Sequence, residues 1–253
     1  MKYYEEHYVE YLSSAENKPL HPKINKIYDK FSEKFDDLNN IILYGPTGVG
    51  KYSQSLDIIK NFRLEYMTEI VKLSQEMNFF IFEDRKYSEI GAIFKNQYEG
   101  GIYQVESWSN LINFHLISGD SNVKVYQNLE RKEKQGGLLV AQMSNHNNFI
   151  TPEYTQKVVK VAQDNDSICG FISQEKIAGD NFLYLTPGIK LDVNKNKDHL
   201  DQRYKSISEV IINGGTDIII VGRGITESSN ILLETLKYKD LGWSCYLESL
   251  KTY

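Results

Sequence analysis

The 253-residue sequence predicts an α/β protein of TIM (β/α)8-barrel type, and three observations carry that reading. Apolar runs of strand length recur at 41–44, 79–82, 111–117, 138–143, 168–172, 182–185 and 217–221. Segments with helical spacing lie between them, and strands that alternate with helices pair in parallel. Polar residues able to do chemistry stand directly after several of the runs, where a (β/α)8 barrel builds its active site.

Taken in order, the run at 41–44 leads into Gly45-x4-Gly50-Lys51, the spacing of a phosphate-cradling loop. Leu64, Met67, Ile70, Val71 and Ser74 recur at helical intervals and predict a helix over 64–77. The run FFIF then meets Glu83, Asp84, Arg85, Lys86 and Glu89. The strand is expected to end at Phe82 and the charges to occupy the loop beyond. A lysine among carboxylates there keeps its proton and can donate it, with Asp84, Lys86 and Glu89 the candidate group. An ion-paired loop is the alternative reading of the same residues.

After 138–143 comes Ser144, able to present a hydroxyl to a polar ring or simply to cap a turn. Helical spacing returns at 154–164 and 206–213. LTPG at 185–188 is followed by a polar stretch at 194–201 that reads as a solvated loop, and then by Gln202 and Tyr204. The run at 217–221 ends in Gly222, Arg223 and Gly224. Backbone N–H groups beside a fixed cation suit a phosphate dianion. His115 continues a strand pattern and reads as a core residue.

Composition bounds the partners. With 41% hydrophobic and 25% charged residues, the chain can bury a full core. A net charge of -5 argues against a dedicated nucleic-acid or membrane-surface binder but leaves phosphorylated small molecules open. Cys169 and Cys245 form no metal-ligand spacing, and no metal or cofactor is implied. Two cysteines so far apart in the chain point to a reducing cytoplasm. No apolar run approaches the ~20 residues of a membrane span, and the acidic opening MKYYEEHYVEYL is not a signal peptide.

In order and spacing, FFIFEDRKYSEIG, QYEGGIY, SWSNLINFH, AQMS, GFIS, YLTPGI, QRY and DIIIVGRGI resemble the orotidine 5′-phosphate decarboxylase family. The resemblance is to the type found as the C-terminal domain of eukaryotic UMP synthase, and it covers about 57–253. It implies a cofactor-free barrel that dimerises through its mouth and removes CO2 from orotidine 5′-phosphate to give UMP in pyrimidine biosynthesis. By resemblance, Asp84 and Lys86 fall on the catalytic carboxylate and the proton-donating lysine, and Ser144 on the pyrimidine contact. Gln202, Tyr204, Gly222 and Arg223 fall on the phosphate grip.

The chain also departs from that family. Glu89 stands where the family places an Asp donated across the dimer, and Ile93 where it places a Thr. Ser53 stands where a catalytic lysine is expected, and the two strands that open the family's barrel have no counterpart. The barrel is therefore expected to be incomplete or open at its first two strands, with a helical N-terminal extension. Residues 1–56 instead resemble the phosphate-loop segment of a clamp-loader small subunit, with Tyr52 in place of the usual Mg²⁺ ligand. This reading divides the chain at 56/57. The expected function is orotidine 5′-phosphate decarboxylation with impaired turnover. A non-catalytic UMP-type binder and a phosphate-loop ATPase or clamp-loader fragment are the alternatives.

Overall fold

Six parallel strands realise the strand–helix alternation, paired in simple chain order from the first to the last. They are seen in a computed structural model that describes residues 64–129, 135–191 and 203–251. The run at 41–44, the loop residues Gly45, Gly50 and Lys51, and Gln202 lie outside the described residues.

Helix α1 (Leu64–Met77) precedes β1 (Phe82–Tyr87), and α2 (Gly91–Glu99) with a short 3-10 turn (Val105–Ser107) leads to β2 (Leu111–Phe114). Then come α3 (Ser121–Gln127), β3 (Gly136–Val140), α4 (Pro152–Gln163), β4 (Ile168–Ile172) and β5 (Leu183–Pro187). A π-helical turn (Glu209–Asn213), β6 (Ile218–Ile220), the short α5 (Arg223–Thr226) and the long α6 (Ile231–Ser249) complete the order. Every neighbouring pair of strands is parallel. The result is a half-barrel, whose edges among the described residues are β1 and β6; a closed barrel of this type has eight strands.

Side chains alternate across each strand, so each strand feeds two layers. On the inner face Phe82, Leu138, Val140, Ile172, Leu185 and Ile220 form one apolar cluster, with Leu111 packed against it. On the outer face Tyr87 and Phe114 meet Phe94 and Tyr98 of α2 and Tyr126 of α3. These rings approach mainly edge to face, with Phe94 and Phe114 centroids 5.1 Å apart, an arrangement that favours the ring quadrupoles. Gly170 permits close passage of β4 and β5, because a Cβ there would meet the Leu183 carbonyl oxygen.

Two expectations are corrected. The strand does not stop at Phe82: β1 begins there and carries Glu83 to Tyr87, so the charges are strand residues. They alternate, one set joining the inner face and the other the outer, which lets a buried strand hold them. The helix expected at 206–213 forms over 207–213, but its last five residues, Glu209–Asn213, are π-helical rather than α-helical, closed by the Gly214 N–H donating to the Glu209 carbonyl at 3.0 Å. Helices α2, α3 and α6 add to the helices expected. The last is apolar on several sides, with Leu232, Leu236, Trp243 and Leu247 all exposed, so its periodicity is weak.

Candidate active site at the C-terminal ends of the strands

The inner face changes character along β1 and β2. Phe82 and Leu111 pair in register and belong to the apolar layer. One layer further toward the strand ends, Asp84 and Asn113 replace hydrocarbon with a carboxylate and an amide. Asp84 is 4% exposed and Asn113 is fully buried, so each must find a polar partner inside the protein. The Asn113 Nδ2 donates to Asp84 Oδ1 at 2.5 Å, and the Lys86 ammonium donates to the same oxygen at 2.5 Å.

A bulge makes this convergence possible. Glu83 pairs with Ile112 and Tyr87 with Phe114, so residues 84–86 of β1 face the single residue Asn113 of β2. Such bulges bend a strand and re-aim its side chains. Lys86 takes a left-handed backbone with φ 59°, and its N–H donates to Asn113 Oδ1 at 2.6 Å. Beyond the bulge the ladder resumes, with the His115 N–H donating to the Tyr87 carbonyl at 2.7 Å. Burial lowers the pKa of His115, and the nearby Lys86 charge adds to that effect while Asp84 opposes it.

The alternate residues of β1 form a second pair, Arg85 Nε to Glu83 Oε1 at 2.7 Å. The Arg85 guanidinium lies over the Tyr103 ring, 4.6 Å from its centroid, a cation–π contact. Burial raises the Glu83 pKa, against the lowering effect of Arg85. This pair supports β1 from outside; the Asp84–Lys86 pair is turned inward. Glu89 is exposed on the loop between β1 and α2 and stands outside the Asp84–Lys86–Asn113 group.

At the other strands the same end of the sheet gathers polar groups from β3 to β6. Ser144, after β3, is buried, and its carbonyl accepts the Arg203 N–H at 3.1 Å. Gly188, with φ 84°, turns the chain out of β5, a conformation glycine adopts without steric cost. Its carbonyl accepts the Lys205 N–H at 2.9 Å, and Lys190 returns an N–H to Lys205 at 3.2 Å. The segment carrying Tyr204 is thereby tied to the ends of β3 and β5. The Lys190 ammonium lies 4.1 Å from the Tyr204 ring centroid. Gly222 and Arg223 follow β6 after Val221, with Gly222 capping α5 by accepting from the N–H of Ile225 and of Thr226.

The structure thus joins Asp84 with Lys86 and draws the Tyr204 segment to Ser144, while Arg223 sits at the same end of the sheet at the start of α5, after β6. Three contributors were missed by sequence reasoning. Asn113 is visible as a lone amide in the strand LINFH. Gln174, whose N–H donates to Gln142 Oε1 at 2.7 Å, and Lys205, whose ammonium donates to the Gln174 carbonyl at 3.1 Å, carried no sequence signal.

A parallel half-barrel with a buried carboxylate–lysine pair at one strand end, and an Arg-Gly segment at another, defines a barrel-type enzyme scaffold. Residues 52–238 match the model of the Orotidine 5'-phosphate decarboxylase / HUMPS family. The chain is 40% identical over 197 residues to bovine uridine 5'-monophosphate synthase, a match spanning 77% of this chain and 41% of the synthase. It is 35% identical over 203 residues to the orotidine 5'-phosphate decarboxylase of Phycomyces blakesleeanus, spanning 78% and 75%. That of Saccharomycopsis fibuligera is 36% identical over 205 residues, spanning 77% of each. Among solved structures, the orotidine 5'-phosphate decarboxylase of Pyrococcus horikoshii OT3 superposes with a TM-score of 0.51 at 19% identity, covering 70% of this chain and 81% of that one. That last likeness concerns the fold alone. The chain belongs to the orotidine 5'-phosphate decarboxylase / HUMPS family.

Proposed function

We propose that this chain decarboxylates orotidine 5′-phosphate to UMP, as a carboxy-lyase that uses Lys86 as proton donor. The observation carrying this reading is the 2.5 Å contact between the Lys86 ammonium and a buried Asp84, at the C-terminal end of β1 in a chain of this family. In the reaction the bond between the pyrimidine ring carbon and its carboxylate breaks. CO2 leaves, and the electron pair stays on the ring carbon. The Lys86 ammonium stabilises that charge and transfers a proton to the carbon, forming the new C–H bond. Asp84 holds the ammonium in place. Ser144 contacts the pyrimidine, and Gln202, Tyr204, Gly222 and Arg223 hold the phosphate, whose binding energy orients the ring.

Turnover lies well below that of a complete relative, because Ser53 occupies the position of a second lysine and Glu89 replaces a shorter carboxylate. Release of CO2 from orotidine 5′-phosphate, measured beside the Phycomyces blakesleeanus enzyme, tests both statements. No release above a heat-inactivated control would overturn the first, and equal rates would overturn the second. If catalysis is absent while UMP still raises the melting temperature, the chain is a nucleotide binder.

A homodimer through the barrel mouth is part of the same reading. Ile117 and Phe149, in the loops after β2 and β3, are 80% and 98% exposed, and Ile90 and Ile93 beside Glu89 are exposed as well. Sedimentation showing only monomer at working concentration would contradict it. Residues 1–56 we read as a separate clamp-loader-like segment without ATPase function, because Tyr52 replaces the Mg²⁺ ligand. ATP with Mg²⁺ is expected to bind no tighter than about 1 mM; tight binding lost on Lys51→Ala would reverse this. Cys169 and Cys245 form no disulfide, which supports a cytoplasmic setting.

A further inference from the structure

We infer that Asn113 is a positioning residue of the active site: its side-chain amide locks the β1 bulge and thereby sets where the Lys86 ammonium points. The kinetic consequences rest on the decarboxylase reading; the geometric ones do not.

The bulge leaves two demands of opposite polarity beside one another. Lys86 presents a backbone N–H that needs an acceptor, and Asp84 Oδ1 needs donors. Asn113 is the single β2 residue opposite residues 84–86. Its carbonyl oxygen meets the first demand at 2.6 Å, and its NH2 meets the second at 2.5 Å. Among side chains short enough for this place, only the asparagine amide carries a fixed acceptor and a fixed donor on one planar group. An ionised Asp accepts only, and an aliphatic residue does neither.

Full burial of Asn113 keeps water from taking over either contact. The Lys86 backbone is left-handed, a conformation rare for residues with a side chain, and the bond from its own N–H to Asn113 holds it there. From that backbone the Lys86 side chain returns to the same Asp84 oxygen that Asn113 holds. Asn113 therefore fixes both ends of the pair, the lysine by its main chain and the aspartate by its carboxylate. It reaches the chemistry only through them.

Two variants test this in the full chain, Asn113→Ala and the isosteric Asn113→Asp, with circular dichroism to verify folding. Both are expected to lower kcat by roughly 100-fold, the order that a displaced catalytic group costs, while KM stays within about threefold. In Asn113→Asp, activity relative to the parent should rise as the pH falls, because the new carboxyl becomes a donor once protonated. Asn113→Ala should show no such rise. Competitive acetylation supplies a readout independent of turnover: labelling of Lys86 relative to the exposed Lys160 should change in both variants.

Unchanged kcat in Asn113→Ala would overturn the proposal. So would parent-like activity of Asn113→Asp at every pH, since the residue would then only fill space. If Asn113→Ala does not fold, Asn113→Asp carries the test. If the parent itself releases no CO2, the decarboxylase reading fails and the labelling ratio decides alone. An unchanged ratio then overturns the positioning role, and a changed one supports it.

Discussion

The β1–β2 end of the site and the β5–β6 end hold their functional groups by different means. At β1–β2, the Asp84 carboxylate, the Lys86 ammonium and the Asn113 amide are strand residues, closed around one oxygen by contacts of 2.5 Å and backed by the aromatic outer layer. At β5–β6, β6 has three residues, its approach is a π turn, and Arg223 opens a four-residue helix. Tyr204 comes from a connecting segment tied down by main-chain bonds to Ser144, Gly188 and Lys190. In the proposed reading, the groups that would meet the reacting atom are fixed by the sheet before any ligand arrives. Those that would grip a phosphate stand on loops and turns, where the ligand's own charge can complete the order.

That contrast implies different failures on mutation. The largest effect is expected at the fixed end. Asp84→Ala leaves the Lys86 ammonium part-buried without its partner, and removing one member of a buried pair costs about 3–5 kcal/mol. Turnover should fall with stability, by about 10²–10⁴-fold. Urea denaturation and CO2 release on the same preparation would show it. If stability drops while turnover holds, the pair is structural and the contrast collapses.

A smaller and differently shaped effect is expected at the loop end. Arg223→Ala should leave folding nearly unchanged and weaken nucleotide binding by ~10- to 100-fold, the value of a charge-assisted contact. The melting shift given by UMP should shrink in the variant at the same ligand concentration, following the binding linkage. An undiminished UMP shift would place the phosphate elsewhere.

The smallest effect concerns His115, at the end of β2. Burial lowers its pKa, so between its folded value and the unfolded value of about 6.5 the unfolded chain binds more protons. Stability should therefore be lost as pH falls through that range and should level off below it, where both states are protonated. Replacing His115 with Gln should flatten this part of the curve of melting temperature against pH. An unchanged slope would assign the acid sensitivity to other groups.

Much of this contrast could be read in the sequence, and the unread part has a physical cause. The strand at 168–172 was legible because an apolar run buried on both faces needs no partner to be seen, and that at 217–221 because its continuous β-branched run stands out although Ile218 is exposed. Asp84, Lys86 and Arg223 stood out through their family spacing. The extension of β1 through Glu83–Tyr87 did not, because five polar or charged positions look like a loop until each face is assigned its own pair. Nor did the bulge, which depends on Asn113, 29 residues from Asp84 along the chain. Gln174 and Lys205 act through main-chain and amide contacts that leave no pattern in composition. Glu89 was legible as a departure from the family, yet its exposure shows that one chain does not bring it to the pair.

The most direct test separates chemistry from binding in one variant. For Lys86→Ala, kcat for CO2 release and the dissociation constant for UMP should be measured on one preparation. Loss of about 10²–10⁴-fold in kcat with UMP affinity kept within about threefold is the expected result, since the proposed reading puts the proton donor at the sheet-fixed end and the phosphate grip at the other. Turnover equal to the parent's, or a parallel loss of UMP binding, would contradict it.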